Sequence, residues 1–281
     1  MRLLRYGEIG REKPGITANS GDICDLSSIV DDISGDVLGR ESLARLRALD
    51  LSKLPIVSGN PRISSPLAWV PKFLGIGLNY RDHAEETGMP IPEAPIVFAK
   101  ASSCLSGPYD PILAPKGWER MDYEVELGVV IGTRAKNVTE AEALDYVAGY
   151  AICNDVSERS LQKGGPGEWI KAKSHDSFGP LGPWLVTTDE IPDPQQLSLT
   201  LDLNGERMQT GSTSTMIFSV AQLVSYISDY MTLVPGDVIT TGTPPGVGMA
   251  RKPRVFLKPG DELRLAISGL GEQRVAVVAE D

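Results

Sequence analysis

Two glutamates, Glu124 and Glu126, stand in a segment whose residue pattern predicts a strand. This segment, from Met121 to Ile131, ends in Val and Ile residues that are typical of a buried strand. Side chains two positions apart on a strand point to the same face, so we expect the two carboxylates to lie side by side. Buried together, they would repel each other unless one is protonated or a cation lies between them. The pair therefore indicates a metal site, with two solvent-exposed glutamates at a hydrated edge as the alternative.

A second candidate constellation is the pair formed by His83 and Glu86, three positions apart in the segment Arg81 to Gly88. Helix-forming residues followed by a glycine predict a short helix here. Residues three apart on a helix are neighbours, and a carboxylate beside an imidazole orients the ring and stabilises its protonated form. The pair is thus a candidate general base with its orienting group, and a solvated ion pair is the alternative.

Two further stretches are ambiguous from the residues alone. Asp155, in the run Cys153 to Gln162, is either a charged site residue or a helix N-cap, and the local pattern favours the N-cap. The loop Thr240 to Gly248 is rich in Gly, Pro and Thr and follows a predicted strand. Such a loop presents successive backbone amides to an anion such as a substrate carboxylate, but a tight turn has the same composition.

Most of the remaining pattern indicates strands. Short runs of alternating or β-branched residues, separated by turn signals such as Asn204-Gly205, predict strands at 199–203, 238–240, 262–267 and 273–278. The order of elements predicts an α+β, mainly β fold with a barrel-like or rolled sheet.

Three longer helices are also predicted. One lies at residues 41–49, where apolar residues recur at helical spacing. The other two follow capping-box patterns and run from Thr139 through Tyr146 towards Tyr150, and from Ser219 to about Tyr230.

A proline-punctuated segment, residues 61–71, separates two parts of the sequence. We expect residues 1–70 to form a small N-terminal α+β domain, in which nothing resembles a catalytic constellation. Residues 71–281 contain all the candidate residues named above and are expected to form the catalytic domain.

Composition excludes several classes of function. The chain has 281 residues and a net charge of −10, without a basic cluster, which argues against nucleic-acid binding. Three widely spaced cysteines, Cys24, Cys104 and Cys153, indicate neither a disulfide framework nor a zinc site. No apolar run is long enough to span a bilayer or to serve as a signal peptide. We therefore expect a soluble, cytoplasmic enzyme that binds no membrane.

Five motifs together resemble the fumarylacetoacetate hydrolase family, and they occur in the family's order. They are GLNYRDH at 77–83, DYEVEL at 122–127, NDVSER at 154–159, KAKS at 171–174 and TGTPPG at 241–246. The resemblance covers the chain from about Lys72 to its C-terminus and is strongest to short bacterial members with a small N-terminal domain. It implies a mixed β-roll catalytic domain, a homodimer or dimer of dimers, and a bound Mg²⁺ for which Mn²⁺ is a possible substitute.

The resemblance also implies a role for individual residues. The implied metal ligands are Glu124, Glu126 and Asp155. The implied catalytic residues are His83, Glu86, Lys173 and Gln162, and the implied substrate-binding residues are Arg159, Lys100, Thr241, Gly242 and Thr243. Longer members bring an extra aspartate to the metal from the stretch before the histidine, and we do not expect Asp82 to do so here.

The activity implied by the resemblance is metal-dependent hydrolysis of a C–C bond in a 2,4-diketo acid. The products would be pyruvate and a second carboxylic acid, from an acylpyruvate or a 2,4-diketo-3-deoxy sugar acid such as L-2,4-diketo-3-deoxyrhamnonate. Alternatives that use the same site are oxaloacetate decarboxylation, keto–enol tautomerisation and ureidoglycolate cleavage. A binding protein without activity is disfavoured, because binding alone would not require His83 with its orienting Glu86.

Overall fold

The computed structural model of this chain describes residues 1–163 and 168–280, without the side chain of Lys163. Its strands are, in order, β1 (Arg2–Tyr6), β2 (Lys13–Thr17), β3 (Ile23–Asp25), β4 (Ile63–Ser64), β5 (Phe73–Gly77), β6 (Ile96–Lys100), β7 (Leu105–Ser106), β8 (Ile112–Ala114), β9 (Met121–Asp122), β10 (Val125–Ile131), β11 (Val147–Asn154), β12 (Ser157–Glu158), β13 (Gly179–Thr187), β14 (Ser198–Leu203), β15 (Glu206–Ser212), β16 (Val238–Thr240), β17 (Glu262–Ile267) and β18 (Gly271–Ala279). Its α-helices are α1 (Arg40–Arg47), α2 (Arg81–Thr87), α3 (Arg159–Lys163), α4 (Trp169–Lys173) and α5 (Val220–Tyr230). Strands outweigh helices, which confirms the predicted mainly β class.

Most of the strands belong to two mixed sheets. The larger sheet has 11 strands in the order β3-β2-β1-β13-β11-β10-β16-β5-β6, with β4 paired to β1 and β7 paired to β13. Its neighbours are mostly antiparallel, but β16 and β5 run parallel, as do β13 and β7. The second sheet has the order β15-β14-β17-β18-β8, and β9 pairs with β12. The predicted mixed architecture is confirmed, and in the described part of the chain these sheets do not close into a barrel.

The N-terminal segment continues the large sheet. Strand β1 pairs with β13 in an antiparallel ladder that sets Leu3 opposite Leu185, and β2 and β3 extend the sheet outward. Both leucines are buried in the same apolar core. The first 70 residues are therefore attached through both backbone hydrogen bonds and side-chain packing, and the division of the chain at this point stays a prediction.

Strand β10 lies in the middle of the large sheet, between β11 and β16. All of its residues, Val125–Ile131, are buried, as expected for a strand covered on both faces. The predicted strand is interrupted, however, because Met121–Asp122 pairs with β12 in a separate ribbon. Between the two pieces, Glu124 N donates a hydrogen bond to the side chain of Asn154 at 3.1 Å. The interruption leaves Glu124 beside the end of β11.

Several local predictions are confirmed. Helix α2 ends at Thr87, and Gly88 adopts the left-handed conformation (φ 66°) that closes the helix. Asn204 and Gly205 both have positive φ, 53° and 82°, as the tight hairpin between β14 and β15 requires.

The helix predicted from Thr139 towards Tyr150 is wrong. Only a 3₁₀ turn forms, at Ala143–Tyr146, and β11 begins at Val147. Thr139 Oγ1 donates to the Glu142 carboxylate at 2.7 Å rather than capping a helix. The strand forms because Val147–Asn154 is buried between β10 and β13, and this burial outweighs local helix propensity.

Helix α5 shows the predicted capping box and provides a test of local stability. Ser219 Oγ accepts a hydrogen bond from Gln222 N at 3.2 Å, and Gln222 Oε1 accepts one from Ser219 N at 2.9 Å. We expect Ser219→Ala to lower the free energy of unfolding by about 1 kcal/mol in urea denaturation. Ser219→Asp keeps an acceptor at the same place, so it should stay close to the wild type. Equal losses for the two variants would contradict the capping role.

Candidate active site

Three carboxylates converge at the adjoining ends of two paired strands. Glu126 lies on β10, Glu124 directly precedes that strand, and Asp155 directly follows β11. Asp155 N donates to Glu124 O at 2.9 Å, so the backbone itself joins the two acidic residues. One ligand oxygen from each carboxylate lies within 4.8 Å of the others, and all three residues are buried. The solvent-exposed alternative for the two glutamates is therefore wrong.

Three buried cations contact these carboxylates. Lys173 Nζ donates to Glu124 Oε2 at 2.7 Å and also to Asp155 Oδ2. Arg159 Nη2 donates to Glu124 Oε1 at 2.6 Å. Lys100 Nζ donates to Asp155 Oδ1 at 2.6 Å. Because buried charges lose their hydration, each of these ion pairs offsets part of the cost of burying its carboxylate.

The surroundings shift the acidity of the two glutamates in opposite directions. Burial alone would raise the pKa of Glu124, but Arg159 and Lys173 outweigh burial and hold that pKa well below its usual range. Burial raises the pKa of Glu126 well above its usual range, and the charges of Asp155 and Glu124 raise it further. Of the two glutamates, Glu126 is thus the one that gains more from an additional positive charge nearby.

The arrangement fits a divalent cation. Within the described residues, both hydrogen bonds of Glu126 go to Oε2, from Thr240 Oγ1 and from Gly242 N, the latter at 2.8 Å. In the described part of the chain, Oε1 of this buried side chain has no hydrogen-bond partner, and Glu126 lines a cavity. Carboxylate oxygens are the ligands that Mg²⁺ and Mn²⁺ prefer, and each oxygen of Glu124 and Asp155 keeps a second lone pair beside its ion pair. These three residues can therefore hold the predicted metal, whose presence stays a prediction.

His83 and Glu86 form the predicted pair on α2. His83 Nδ1 lies 3.0 Å from Glu86 Oε2, and Gly246 N donates to Glu86 Oε1 at 2.9 Å. The side chain of His83 is only 12% exposed, so the pair is not the freely solvated ion pair of the alternative interpretation. Glu86 thereby connects α2 to the loop after β16 and fixes the orientation of the imidazole.

A cavity of about 190 Å³ brings the two candidate constellations together. Its lining includes the three carboxylates and His83. It also includes four polar residues assigned from the sequence, namely Arg159, Gln162, Lys173 and Thr243. Arg159 Nη1 donates to Gln162 Oε1 at 2.9 Å, so the guanidinium orients this amide beside the carboxylates.

The other three predicted substrate-binding residues contact the protein itself. Lys100 Nζ is fully enclosed and also donates to two backbone carbonyls, those of Lys173 and, at 3.1 Å, Phe178. Thr241 Oγ1 donates to the β10 backbone at Leu127 O, 2.9 Å away, and the Gly242 amide binds Glu126. Their role in substrate binding stays a prediction, whereas the contacts shown position Asp155 and Glu126.

The structure also resolves the two uncertain aspartates. Asp155 is followed by β12 and engages two lysines, so the N-cap interpretation is wrong. The Asp82 carboxylate accepts a hydrogen bond from His83 N at 3.0 Å, and its Oδ1 lies 3.4 Å from Thr215 Oγ1. Among the described residues Asp82 lies outside the carboxylate cluster, and the expectation that it does not bind the metal stays a prediction.

Sequence reasoning missed two supporting side chains. Asp122 is buried and accepts hydrogen bonds from Arg159 Nε at 2.9 Å and from Gly248 N at 2.7 Å, which ties the guanidinium to the loop after β16. Ser157 Oγ accepts from Lys173 Nζ at 2.8 Å. Asp122 lies two positions before Glu124 in the sequence. That spacing alone does not predict that Asp122 binds Arg159.

Comparison with known proteins identifies the family. The model of the fumarylacetoacetate (FAA) hydrolase C-terminal domain matches residues 72–278. This chain belongs to the fumarylacetoacetate hydrolase family. A relative from Burkholderia orbicola, named only as a hydrolase, is 61% identical over 274 residues and covers 97% of each chain.

Two solved structures of this family bear on the chemistry. Maleylpyruvate hydrolase from Sphingobium sp. SYK-6, in complex with manganese(II) and pyruvate, has a TM-score of 0.83 and 27% identity over 100% of both chains. A 2-hydroxyhepta-2,4-diene-1,7-dioate isomerase from Mycobacterium marinum has a TM-score of 0.76 and 32% identity, covering 100% of this chain and 99% of its own. This chain is thus similar to both hydrolases and isomerases of the fumarylacetoacetate hydrolase family.

No helix among the described residues has the length and apolar character needed to cross a membrane.

The carboxylate cluster predicts a specific defect in metal binding. Glu126→Gln keeps the shape of the side chain but removes its charge, so we expect the dissociation constant for Mn²⁺ to rise more than about 10-fold. The measurement is calorimetric titration of chelator-treated protein. Asp82→Asn is the matched control, because Asp82 lies outside the cluster and should leave the affinity unchanged. Equal Mn²⁺ affinities for Glu126→Gln and the wild type would contradict the assigned ligands.

Proposed function

We propose that this protein is a metal-dependent hydrolase that cleaves the C3–C4 bond of a 2,4-diketo acid. Its substrate is an acylpyruvate or a 2,4-diketo-3-deoxy sugar acid such as L-2,4-diketo-3-deoxyrhamnonate, and its products are pyruvate and a second carboxylic acid. The observation that carries this proposal is the cavity in which Glu124, Glu126 and Asp155 are combined with His83. Similarity to a maleylpyruvate hydrolase solved with manganese and pyruvate supports it.

Mg²⁺ or Mn²⁺ is the proposed cofactor, held by Glu124, Glu126 and Asp155. When bound, such an ion supplies fixed positive charge against the negative charge that develops on a 2-keto oxygen. Arg159 and Lys173 also line the cavity, and their ion pairs with the carboxylates reduce the negative charge that would otherwise repel an anionic 2-oxo acid.

His83 is the proposed general base. The contact between Nδ1 and Glu86 favours the tautomer with its proton on Nδ1, which leaves the Nε2 lone pair to take a proton from water. The resulting hydroxide attacks the C4 carbonyl of the substrate, and Glu86 stabilises the imidazolium that forms. Gly246 N holds the second oxygen of Glu86 at 2.9 Å, which keeps the carboxylate aligned with the ring.

Collapse of the C4 adduct breaks the C3–C4 bond and leaves the electron pair on C3 as an enolate of pyruvate. Lys173 and Gln162 are the proposed groups for stabilising the oxyanion or returning a proton to C3. Both line the cavity, and the Lys173 ammonium lies 2.7 Å from Glu124 Oε2, at the edge of the carboxylate cluster. The Gln162 amide is oriented by Arg159.

A second candidate uses the same site without attack by water. Keto–enol tautomerisation, decarboxylation of oxaloacetate and cleavage of ureidoglycolate need a chelated oxygenated acid but no activated hydroxide. The similarity to a dienedioate isomerase at 32% identity favours keeping this candidate. The two candidates differ in what they require of His83.

The hydrolytic mechanism predicts a large defect in a histidine variant. We expect His83→Ala to lose about 10²- to 10⁴-fold in kcat for an acylpyruvate, the usual contribution of a positioned base. Mn²⁺ affinity should be unchanged, because His83 is outside the carboxylate cluster. Any oxaloacetate decarboxylase activity should largely survive in the variant. Wild-type acylpyruvate cleavage by His83→Ala would refute water activation by this residue.

Isotope labelling provides an independent test of the reaction type. In H₂¹⁸O, one ¹⁸O atom should enter the new carboxylate formed from C4, and the pyruvate carboxylate should remain unlabelled. Mass spectrometry of both products after a single turnover is the measurement. Cleavage of the C–C bond without label at C4 would exclude attack by water and replace the hydrolase with a lyase.

A further inference from the structure

The cavity is chemically divided, because apolar side chains line it beyond the carboxylates and their cations. We call six of the apolar residues that line the cavity the apolar wall: Ile76, Leu78, Ile96, Phe98, Trp169 and Met249. The rings of Phe98 and Trp169 pack against each other with centroids 5.1 Å apart. The proposed reaction takes place at C2 to C4 and does not require an apolar surface. The apolar wall therefore needs a separate explanation.

The apolar wall begins one side chain away from the reacting end. Lys173 Nζ lies 2.7 Å from Glu124 Oε2 and 5.0 Å from the centroid of the Phe98 ring. Trp169 stands four positions before Lys173 on α4, and this spacing places both side chains on one face of the helix. A 2-oxo acid held at the carboxylates would therefore lie next to Phe98 and Trp169.

Two glycines of β5 make room for the aromatic rings. A Cβ atom at Gly75 would lie 2.1 Å from Cζ of Phe98, and one at Gly77 would lie 2.8 Å from Cη2 of Trp169. Both rings thus rest directly on the backbone of this strand. Strands β5 and β6 therefore form the base of the wall, and Trp169 is added to it from α4.

The described lining offers little to a polar tail. Thr87 Oγ1 donates to His83 O at 2.9 Å. Thr243 Oγ1 donates to Val125 O at 3.0 Å and accepts from Gln209 Nε2 at 2.8 Å. The lining cations Arg159 and Lys173 are already paired with buried carboxylates. Among the described lining residues these hydroxyls and ammonium groups are all engaged, and the amide nitrogen of Gln162, which has no partner there, lies with Arg159 beside the carboxylates.

We propose that the substrate of this enzyme carries an apolar tail, an aromatic or branched aliphatic acyl group that binds against Phe98 and Trp169. This inference rests on the proposed function and narrows it from 2,4-diketo acids in general to acylpyruvates. The hydroxyls of a sugar acid would lose water here without gaining partners. A second carboxylate, as the name of the similar dienedioate isomerase specifies, would meet no free cation among the described lining residues.

The primary experiment compares 2,4-diketo acids that differ only in the group attached to C4. With Mn²⁺ present, kcat/KM is measured for benzoylpyruvate, acetylpyruvate, maleylpyruvate and a 2,4-diketo-3-deoxy sugar acid. We expect benzoylpyruvate to exceed both the charged and the hydroxylated substrate by about 10-fold or more. A higher kcat/KM for maleylpyruvate or for the sugar acid would overturn the inference while leaving the hydrolase assignment intact.

Variants locate the selectivity on the wall. Trp169→Ala removes one ring, and Gly77→Ala pushes that ring into the cavity, so each should lower the ratio of kcat/KM for benzoylpyruvate over acetylpyruvate by about 10-fold. Trp118→Phe is the matched control, since Trp118 packs against His175 and Phe178 outside the cavity lining, and it should keep the wild-type ratio. An unchanged ratio in Trp169→Ala would overturn the role of this residue.

Binding measurements separate failure of this inference from failure of the proposed function. If no diketo acid is cleaved, the hydrolase proposal fails, but tail selectivity is still measurable with 2-oxo acids that lack the 4-keto group. We expect 4-phenyl-2-oxobutanoate to bind the Mn²⁺-loaded protein at least about 10-fold more tightly than a 2-oxo-3-deoxy sugar acid in calorimetric titration. Equal or reversed affinities would overturn the apolar tail whether or not hydrolysis occurs.

Discussion

The burial of an excess of negative charge is the constraint on which this site depends. The buried ionic cluster contains four carboxylates and three cations, namely Asp122, Glu124, Glu126, Asp155, Lys100, Arg159 and Lys173. One negative charge is left over if all are ionised, and within the described residues Glu126 is the member that pairs with none of these cations. A divalent cation would convert this excess to one positive charge, which the carboxylate of a 2-oxo acid would then neutralise. This charge balance thus favours binding of the metal before binding of the anionic substrate.

The fold holds this cluster together through strands that are adjacent in space but distant in sequence. Pairing of β10 with β11 brings Glu126 beside Asp155, and β16 leads into the loop whose Gly242 amide binds Glu126. Lys100 arrives from the end of β6 and Lys173 from the end of α4. Glu124 and Asp155 are held by ion pairs, and Glu126 is held by Thr240 and by the Gly242 amide, so the cavity has a preorganised polar end next to the apolar wall. In the proposed function, the polar end would activate the keto acid and the apolar wall would select its tail.

Local pattern failed where long-range packing outweighs propensity. The residues from Thr139 to Tyr150 contain a helix-start signal, yet Val147 begins a strand because both its neighbouring strands offer backbone partners in the core. The strand predicted from Met121 to Ile131 is split for a related reason, since Met121 and Asp122 pair with β12 instead. By contrast, the Asn204-Gly205 hairpin and the Ser219 capping box were predictable, because a turn or a cap is determined by residues only a few positions apart.

For the site, the sequence by itself determined which side chains share a face: Glu124 with Glu126 by the period of a strand, and His83 with Glu86 by the period of a helix. Resemblance to the family supplied the implied role of Asp155, which local pattern had interpreted as a cap. Only the tertiary structure decided that Lys100 lies beneath Asp155 and that Phe98 and Trp169 rest on glycines beside the reacting end. The physical reason is that periodicity acts over a few residues, whereas compensation of buried charge and aromatic packing are settled between segments that meet only when the chain folds.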